Sequence, residues 1–302
     1  MRRRVVPLVL VLAVVAALGA VVLRITSGGV PHFAAESVCT VVGSGGGTGG
    51  DGDGDYRFST VQAANAATIT AVGQKRSLPD RAVVIALATA MQESKLVNLD
   101  YGDRDSLGLF QQRPSQGWGS PGQVRDPHYA AGKFYDALVR VPHWDTMPLT
   151  RAAQAVQQSG FPDEYAKWEP SASALAGALL GTVPAGLRCT FPAPTRPASS
   201  QVAVTTPALA TATPRPAHTA EVVDALRRDY ATVRAVGGAG DTVELTPANW
   251  VTASWLVANA EQLAVESVSF DGRTWTRSHG DRWTTDQHAH PDRVAITVAG
   301  DQ

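Results

Sequence analysis

The sequence predicts a mainly α domain followed, across a Pro/Ala/Thr-rich linker, by a small α+β domain. Three observations carry this. Aromatic residues make up only 7 % of the 302 residues while alanine abounds, which suits a helical body better than a β-sandwich. A helical pattern of apolar residues runs over 59–180. Beyond residue 220, alternating apolar runs flank Asp271-Gly272, a strong two-residue hairpin signal.

Taken in order, the chain opens with Arg2, Arg3 and Arg4 before an apolar run over 5–23, long enough to cross a bilayer, which needs about 20 apolar residues. The basic cluster comes first, so the reading is a single-pass membrane anchor over 1–25 with the bulk of the chain outside the cell. A cleaved signal peptide, with Ala17-Leu18-Gly19 as the processing site, would leave a secreted protein instead. Arg24 and Ile25 follow the run directly and favour the anchor. Residues 26–58 read as a flexible spacer, glycine- and aspartate-rich over 43–55. That stretch offers no bidentate Glu at its far end and so makes a poor calcium loop.

The helical domain spans 59–189. Residues 60–75 form one alanine-rich helix. Pro79 starts the next, apolar nearly all round through Ala82, Val83, Ile85, Ala86 and Ala88, which marks it as the central buried helix. It ends near Glu93 and Ser94, and a polar, turn-rich loop continues to Ser106. Further helices are expected at 129–139, 150–158 and 163–180, punctuated by Pro142, Pro148, Gly160 and Pro162. Residues 190–219 form the linker. In 220–302, helices are expected at 221–234 and 247–264, with strands at 242–245, 265–270, 273–277 and 294–298.

Composition excludes several functions. A net charge of −1 gives no reason to expect nucleic acid as a partner. One apolar span rules against a transporter or channel. Cys39 and Cys189 bracket the helical domain and suit one disulfide in an oxidising compartment, two unrelated buried thiols being the alternative. A bridge closing so long a loop stabilises by about 4–5 kcal/mol in the chain-entropy model. His128 and His143 are isolated and read as structural or surface residues.

The chemistry centres on Glu93. A carboxyl group at the end of a buried apolar helix is desolvated, which raises its pKa and keeps it protonated, as a general acid acting on a glycosidic oxygen must be. Asp103 and Asp105 are candidates for a second carboxylate that holds water, with ordinary turn chemistry as the other reading. Gln111, Gln112 and Gln116 suit sugar hydroxyl and acetamide groups. Trp118, in the glycine-flanked loop Gln116-Gly117-Trp118-Gly119, is a candidate stacking residue, ahead of Trp144 and Trp168.

The run Glu93-Ser94, Tyr101-Gly102-Asp103-Arg104 and Ser106-Leu107-Gly108-Leu109-Phe110-Gln111 resembles the active-site segment of the lysozyme-like superfamily, in particular goose-type lysozymes and the lytic transglycosylase-like domains of actinobacterial wall proteins. The resemblance covers roughly 60–180. It implies a lysozyme-like fold, Glu93 as catalytic acid, Asp103 as the carboxylate that positions water, and Ser106, Gly108, Leu109 and Gln111 as the turn shaping the sugar cleft. Such domains usually carry Tyr-Asn-Ala-Gly on a later helix. Here Val156 and Gln157 hold the first two positions, leaving Tyr165 to take the tyrosine's place in space. Arg113 stands where goose-type enzymes carry another acidic residue.

The C-terminal portion, through Trp255-Leu256-Val257-Ala258-Asn259-Ala260-Glu261 and Val268-Ser269-Phe270-Asp271-Gly272-Arg273-Thr274-Trp275, resembles the last half of a D-Ala-D-Ala carboxypeptidase-like zinc peptidase. Active relatives close on His-x-Asp-His-Val-His. Arg293 and Ala295 replace the two later histidines, and His288 and His290 fall short of the three protein ligands of a catalytic zinc. The resemblance therefore implies the fold without the metal, as a wall-binding or spacer module. The expected function is cleavage of peptidoglycan glycan strands, as lytic transglycosylase or muramidase, without a cofactor. The partners expected are those strands and, through the N-terminal helix, a membrane. A non-catalytic peptidoglycan-binding protein that keeps the cleft, and a structural partner in a wall-synthesis complex, are the alternatives.

Overall fold

The computed structural model describes residues 36–43, 54–192, 219–238 and 241–299. The anchor or signal over 1–25, most of the glycine-rich spacer and nearly all of the linker fall outside them. Among the described residues the chain is mixed α/β, with eight α-helices and nine strands in two antiparallel sheets. This corrects the mainly α expectation. The three strands absent from that reading of the N-terminal half are β1 (Val38–Val41), β2 (Tyr56–Ser59) and β3 (Leu187–Thr190), paired in the order β2-β1-β3. Each is four residues long, too short for an alternation of period two to declare itself. Their stability comes from partners distant in sequence.

The single-pass membrane localisation is corrected as well. Among the described residues no helix is long and apolar enough to cross a membrane. The apolar run that suggested it lies outside those residues.

Cys39 sits opposite Cys189 in the β1–β3 ladder, and the two form a disulfide across 150 residues of sequence. Strand β2 leads directly into α1 (Thr60–Lys75). The Ser59 side chain accepts from the Gln62 amide while the Gln62 side chain accepts from the Ser59 amide, so two otherwise unpaired donors of the helix start are satisfied reciprocally. Helix α2 (Asp80–Ser94) is the central buried helix, with Val83, Ile85, Ala86, Leu87 and Ala88 fully buried. Around it lie α3 (Pro121–Val124), α4 (Pro127–Leu138), α5 (Leu149–Gln157) and α6 (Glu169–Leu179). Phe110 stacks on Phe134 at 4.7 Å in the same core.

In the C-terminal portion α7 (Thr219–Asp229) stops earlier than the sequence pattern suggests, and β4 (Arg234–Gly237) takes over. The six-stranded sheet has the order β4-β5-β9-β6-β7-β8, with β5 at Thr242–Thr246, β6 at Val265–Phe270, β7 at Arg273–Thr276, β8 at Thr284–Thr285 and β9 at Val294–Val298. Asp271 (φ 48°) and Gly272 (φ 73°) turn β6 into β7. Both take the left-handed conformation that a two-residue hairpin of this hand requires.

Helix α8 (Trp250–Ala258) begins at the Asn249 cap and is buried on nearly every face. It lies between the six-stranded sheet on one side and α1, α6 and β3 on the other. The two halves therefore share one apolar core. Polar ties cross the same seam. Trp275 Nε1 donates to the Cys189 carbonyl (3.2 Å), and Trp283 Nε1 donates to the Leu187 carbonyl (2.8 Å). Glu261 accepts from the Ser37 and Thr60 hydroxyls. Asp229, at the end of α7, accepts from His128 Nε2 across the seam (2.5 Å) and, within its own half, from Trp255 Nε1 (2.6 Å).

Candidate functional site

Glu93 occupies the last turn of α2. The helix stops because Lys95 (φ 56°) and Leu96 (φ 59°) adopt the left-handed conformation in succession, uncommon for residues other than glycine. Ser94 secures the exit: its hydroxyl reaches the Ala90 carbonyl (3.1 Å) and, across the loop, the Leu109 carbonyl (2.8 Å). Glu93 itself is half-buried rather than enclosed as the sequence suggested.

Its partner comes from 72 residues downstream. The fully buried Tyr165 donates its hydroxyl to Glu93 Oε1 at 2.6 Å. Burial pushes the Tyr165 hydroxyl well above the usual phenol range, and the neighbouring carboxyl group pushes it the same way. Tyr165 therefore stays protonated and acts as a donor. It stands just before the short 3-10 turn Ala166–Trp168, which brings Trp168 Nε1 to Gln92 Oε1 at 2.8 Å. Lys95 Nζ lies 4.3 Å from the Trp168 ring centre and Lys167 Nζ 5.5 Å from it. Burial, with Lys167 nearby, lowers the Lys95 pKa, against the pull of Glu164 and Glu93.

The loop after α2 is braced from within. Leu107 and Gln112 exchange backbone hydrogen bonds, both 3.0 Å, and the Gly108 amide donates to the Leu99 carbonyl at 2.8 Å. Gly108 holds φ 79°, and a side chain there would strike the Val124 carbonyl oxygen. Gln157 Nε2 donates to the Phe110 carbonyl (2.7 Å), so the residue standing at the expected asparagine position ties α5 to this loop. Val156 is buried.

The remaining candidates are scattered around that frame. Gln111 (φ 48°) turns its amide inward to the Tyr101 and Gly108 carbonyls at 3.3 and 3.2 Å. Gln112 is buried and donates to the Ala130 carbonyl (3.0 Å). Ser106 is buried, Gln116 is exposed, and Trp118, Trp144 and Trp168 are half-buried against the core. Asp105 is saturated: Arg113 Nε and the Ser115 hydroxyl donate to Oδ1, each at 2.9 Å, and the Ser115 amide donates to Oδ2 at 2.7 Å. The Ser115 amide and hydroxyl, followed by Arg113, lower its pKa to about 2. Asp103 has a side chain 93 % exposed, with Arg104 at 4.0 Å. A cleft of about 520 Å³ opens over the loop, lined among others by Tyr101, Arg104, Asp105 and Ser106; Glu93 is not part of its wall.

The structure thus ties Glu93 to Tyr165 and its chain neighbours Gln92 and Ser94 to Trp168 and the Leu109 carbonyl; among the described residues no hydrogen bond links Glu93 to Asp103, Gln112 or Gln116. The Gln92–Trp168 tie has no local sequence signal. Tyr165 could be found only as a buried tyrosine able to stand in for the missing one.

Chemically, the site offers a carboxyl group with one oxygen held by a neutral donor and a path to solvent, which suits proton transfer. Among the described residues no three or more His, Cys, Asp or Glu side chains come together to hold a metal ion. His290 Nδ1 lies 3.9 Å from Asp292, and the His288 amide donates to Asp286 Oδ1. The chain matches no protein-family model and no curated protein sequence.

Proposed function

We propose that the chain cleaves the glycan strands of peptidoglycan, with Glu93 as general acid. The Tyr165–Glu93 hydrogen bond carries the reading. It fixes the carboxyl group at the exit of a rigid helix and leaves it half-open to solvent. The resemblance of the 93–111 segment to lysozyme-like enzymes supplies the substrate class. Glu93 gives its proton to the glycosidic oxygen as the bond from the anomeric carbon breaks. The positive charge that develops on the sugar is then quenched by an oxygen nucleophile, whose proton returns to the Glu93 carboxylate.

Two nucleophiles are compatible with this scheme. The sugar's own 6-hydroxyl needs no second carboxylate and gives an anhydro product, as in lytic transglycosylases. Water needs a carboxylate to hold it. Asp105 is committed to Arg113 and Ser115, which leaves the exposed Asp103 for that role. One observation favours a second reading, a non-catalytic peptidoglycan-binding protein: Gln157 serves the Phe110 carbonyl rather than a substrate.

Mass spectrometry of fragments released from purified peptidoglycan tests these readings. Release by the wild-type chain, lost by a factor of about 10²–10⁴ in Glu93→Gln, supports the catalytic assignment. Equal release by both would refute it. Binding without release supports the non-catalytic reading, and anhydro or reducing ends distinguish the two nucleophiles.

A further inference from the structure

We infer that the cavity where α1, α4 and α7 meet binds a small organic phosphate through Lys75, Arg76 and Arg228. It lies on the seam between the two halves, and its lining takes no part in the hydrogen bonds around Glu93. Its volume of about 390 Å³ is in the range of small-ligand sites.

The whole chain carries a net charge of −1, so positive charge is not general to its surface. This wall nevertheless gathers three permanent cations: Lys75 and Arg76 at the end of α1, and Arg228 at the end of α7. The carboxylate among them is Asp229. Both of its oxygens are engaged, Oδ1 with His128 Nε2 and Oδ2 with Trp255 Nε1. Arg76 Nη1 donates to Asp136 Oδ1 at 2.6 Å, and its Nη2 rests against Gly132, where an added Cβ would meet it at 3.0 Å. That guanidinium is therefore held in place along α4. Arg227 pairs with Asp224, whereas Arg228 and Lys75 form no salt bridge among the described residues.

A cation in the last turn of a helix is favoured by the helix dipole without any ligand. That accounts for Lys75 and Arg228 singly, but not for their meeting with Arg76 around one recess, where like charges repel. An anion between them relieves the repulsion. Guanidinium forks match phosphate oxygens, and a lysine adds a point charge. Ala71 and Val72 in the same wall give the carbon skeleton of an ester an apolar surface. A neighbouring cavity of about 340 Å³ shares Lys75 and Asp229 but has no other charged residue in its lining, so the anion belongs to the first.

The test is calorimetric titration of the full chain with glycerol 3-phosphate, with glycerol as the neutral control. Low ionic strength is used, because exposed cations are then least screened. Thermal midpoints with and without the ester are the second readout, since a ligand of the folded state raises them. Wild type is expected to bind the ester and not glycerol. Lys75→Gln and Arg228→Gln are each expected to weaken binding about tenfold, and the double variant to lose the midpoint rise. Arg151→Gln, on α5 outside the wall, is expected to bind as wild type does. Midpoints without ester show that the variants remain folded. Undiminished binding by the double variant overturns the inference. So does a wild type that binds no ester, and so does an equal midpoint rise in sodium chloride of the same ionic strength. Glycan release is expected to be unchanged in both single variants, so this site and the catalytic reading fail separately.

Discussion

Glu93 and Asp229 are both carboxylates at the end of an α-helix, in contrasting circumstances. Asp229 has a side chain only 4 % exposed, and each of its oxygens has a partner on a different element, His128 on α4 and Trp255 on α8. Glu93 is half-buried, with Tyr165 on Oε1. A buried carboxylate with both oxygens satisfied is a structural joint, since a change in its charge strands its partners. A carboxyl group held at one oxygen and open at its other side can exchange a proton without dismantling the fold. Asp105, although near the cleft, belongs with Asp229 in its bonding, through Arg113 and Ser115.

The sharpest way to break this contrast is to neutralise each group in turn and measure stability by denaturant unfolding. Asp229→Asn is expected to destabilise by about 2–3 kcal/mol, because it weakens a pair that includes the buried Trp255 N–H and removes the counter-charge of His128. Glu93→Gln is expected to stay within about 0.5 kcal/mol of wild type. Comparable losses would mean that Glu93 is a structural residue too, and the functional reading would lose its main support. Next in size is Tyr165→Phe. It removes the one donor to Glu93 Oε1 while keeping the buried ring, and is expected to cost about 1–2 kcal/mol. If glycan cleavage is observed, this variant should lower it about tenfold through poorer placement of the acid. An unchanged rate would leave Tyr165 as packing alone.

How far the sequence foretold this arrangement depends on how local each signal is. The span of α1 is readable because its alanine-rich run is contiguous and free of Pro. Strands β6 and β9 are readable because alternation and the Asp271-Gly272 turn are local as well. The β1–β3 pairing escapes notice because it joins residues 150 apart, through segments that read as spacer and as domain edge. The sequence reads as helix over 221–234, whereas Arg234–Gly237 pairs with Thr242–Thr246 as an edge strand. At the site, the segment bearing Glu93 is readable because its motif is contiguous. Tyr165 and the Gln92–Trp168 tie are tertiary contacts and leave no contiguous trace. Exposure is equally invisible. Nothing in the sequence separates Trp118, which packs inward, from Tyr101 and Phe161, which face solvent.

The smallest expected effect concerns pH and sharpens the contrast from the Asp229 side. The hydrogen bond to Asp229 raises the His128 pKa above its ordinary 6.5. Partial burial opposes this, Asp229 and Asp126 add to it by charge, and Arg228 opposes it. A group whose folded pKa exceeds its unfolded value binds more protons when folded, so stability falls as pH rises between the two. The contribution of the His128–Asp229 pair should be complete below about pH 6.5 and disappear as pH climbs through the higher folded value. The His128 side chain is 46 % exposed, so solvent screens the pair and keeps the effect modest. Thermal midpoints of wild type and His128→Gln, followed from pH 5.5 to 9, should differ most at the acid end and converge at the alkaline end. Parallel profiles would show that the bond at 2.5 Å is not charge-assisted, and the seam would then depend on Trp275 and Trp283 rather than on a charged joint.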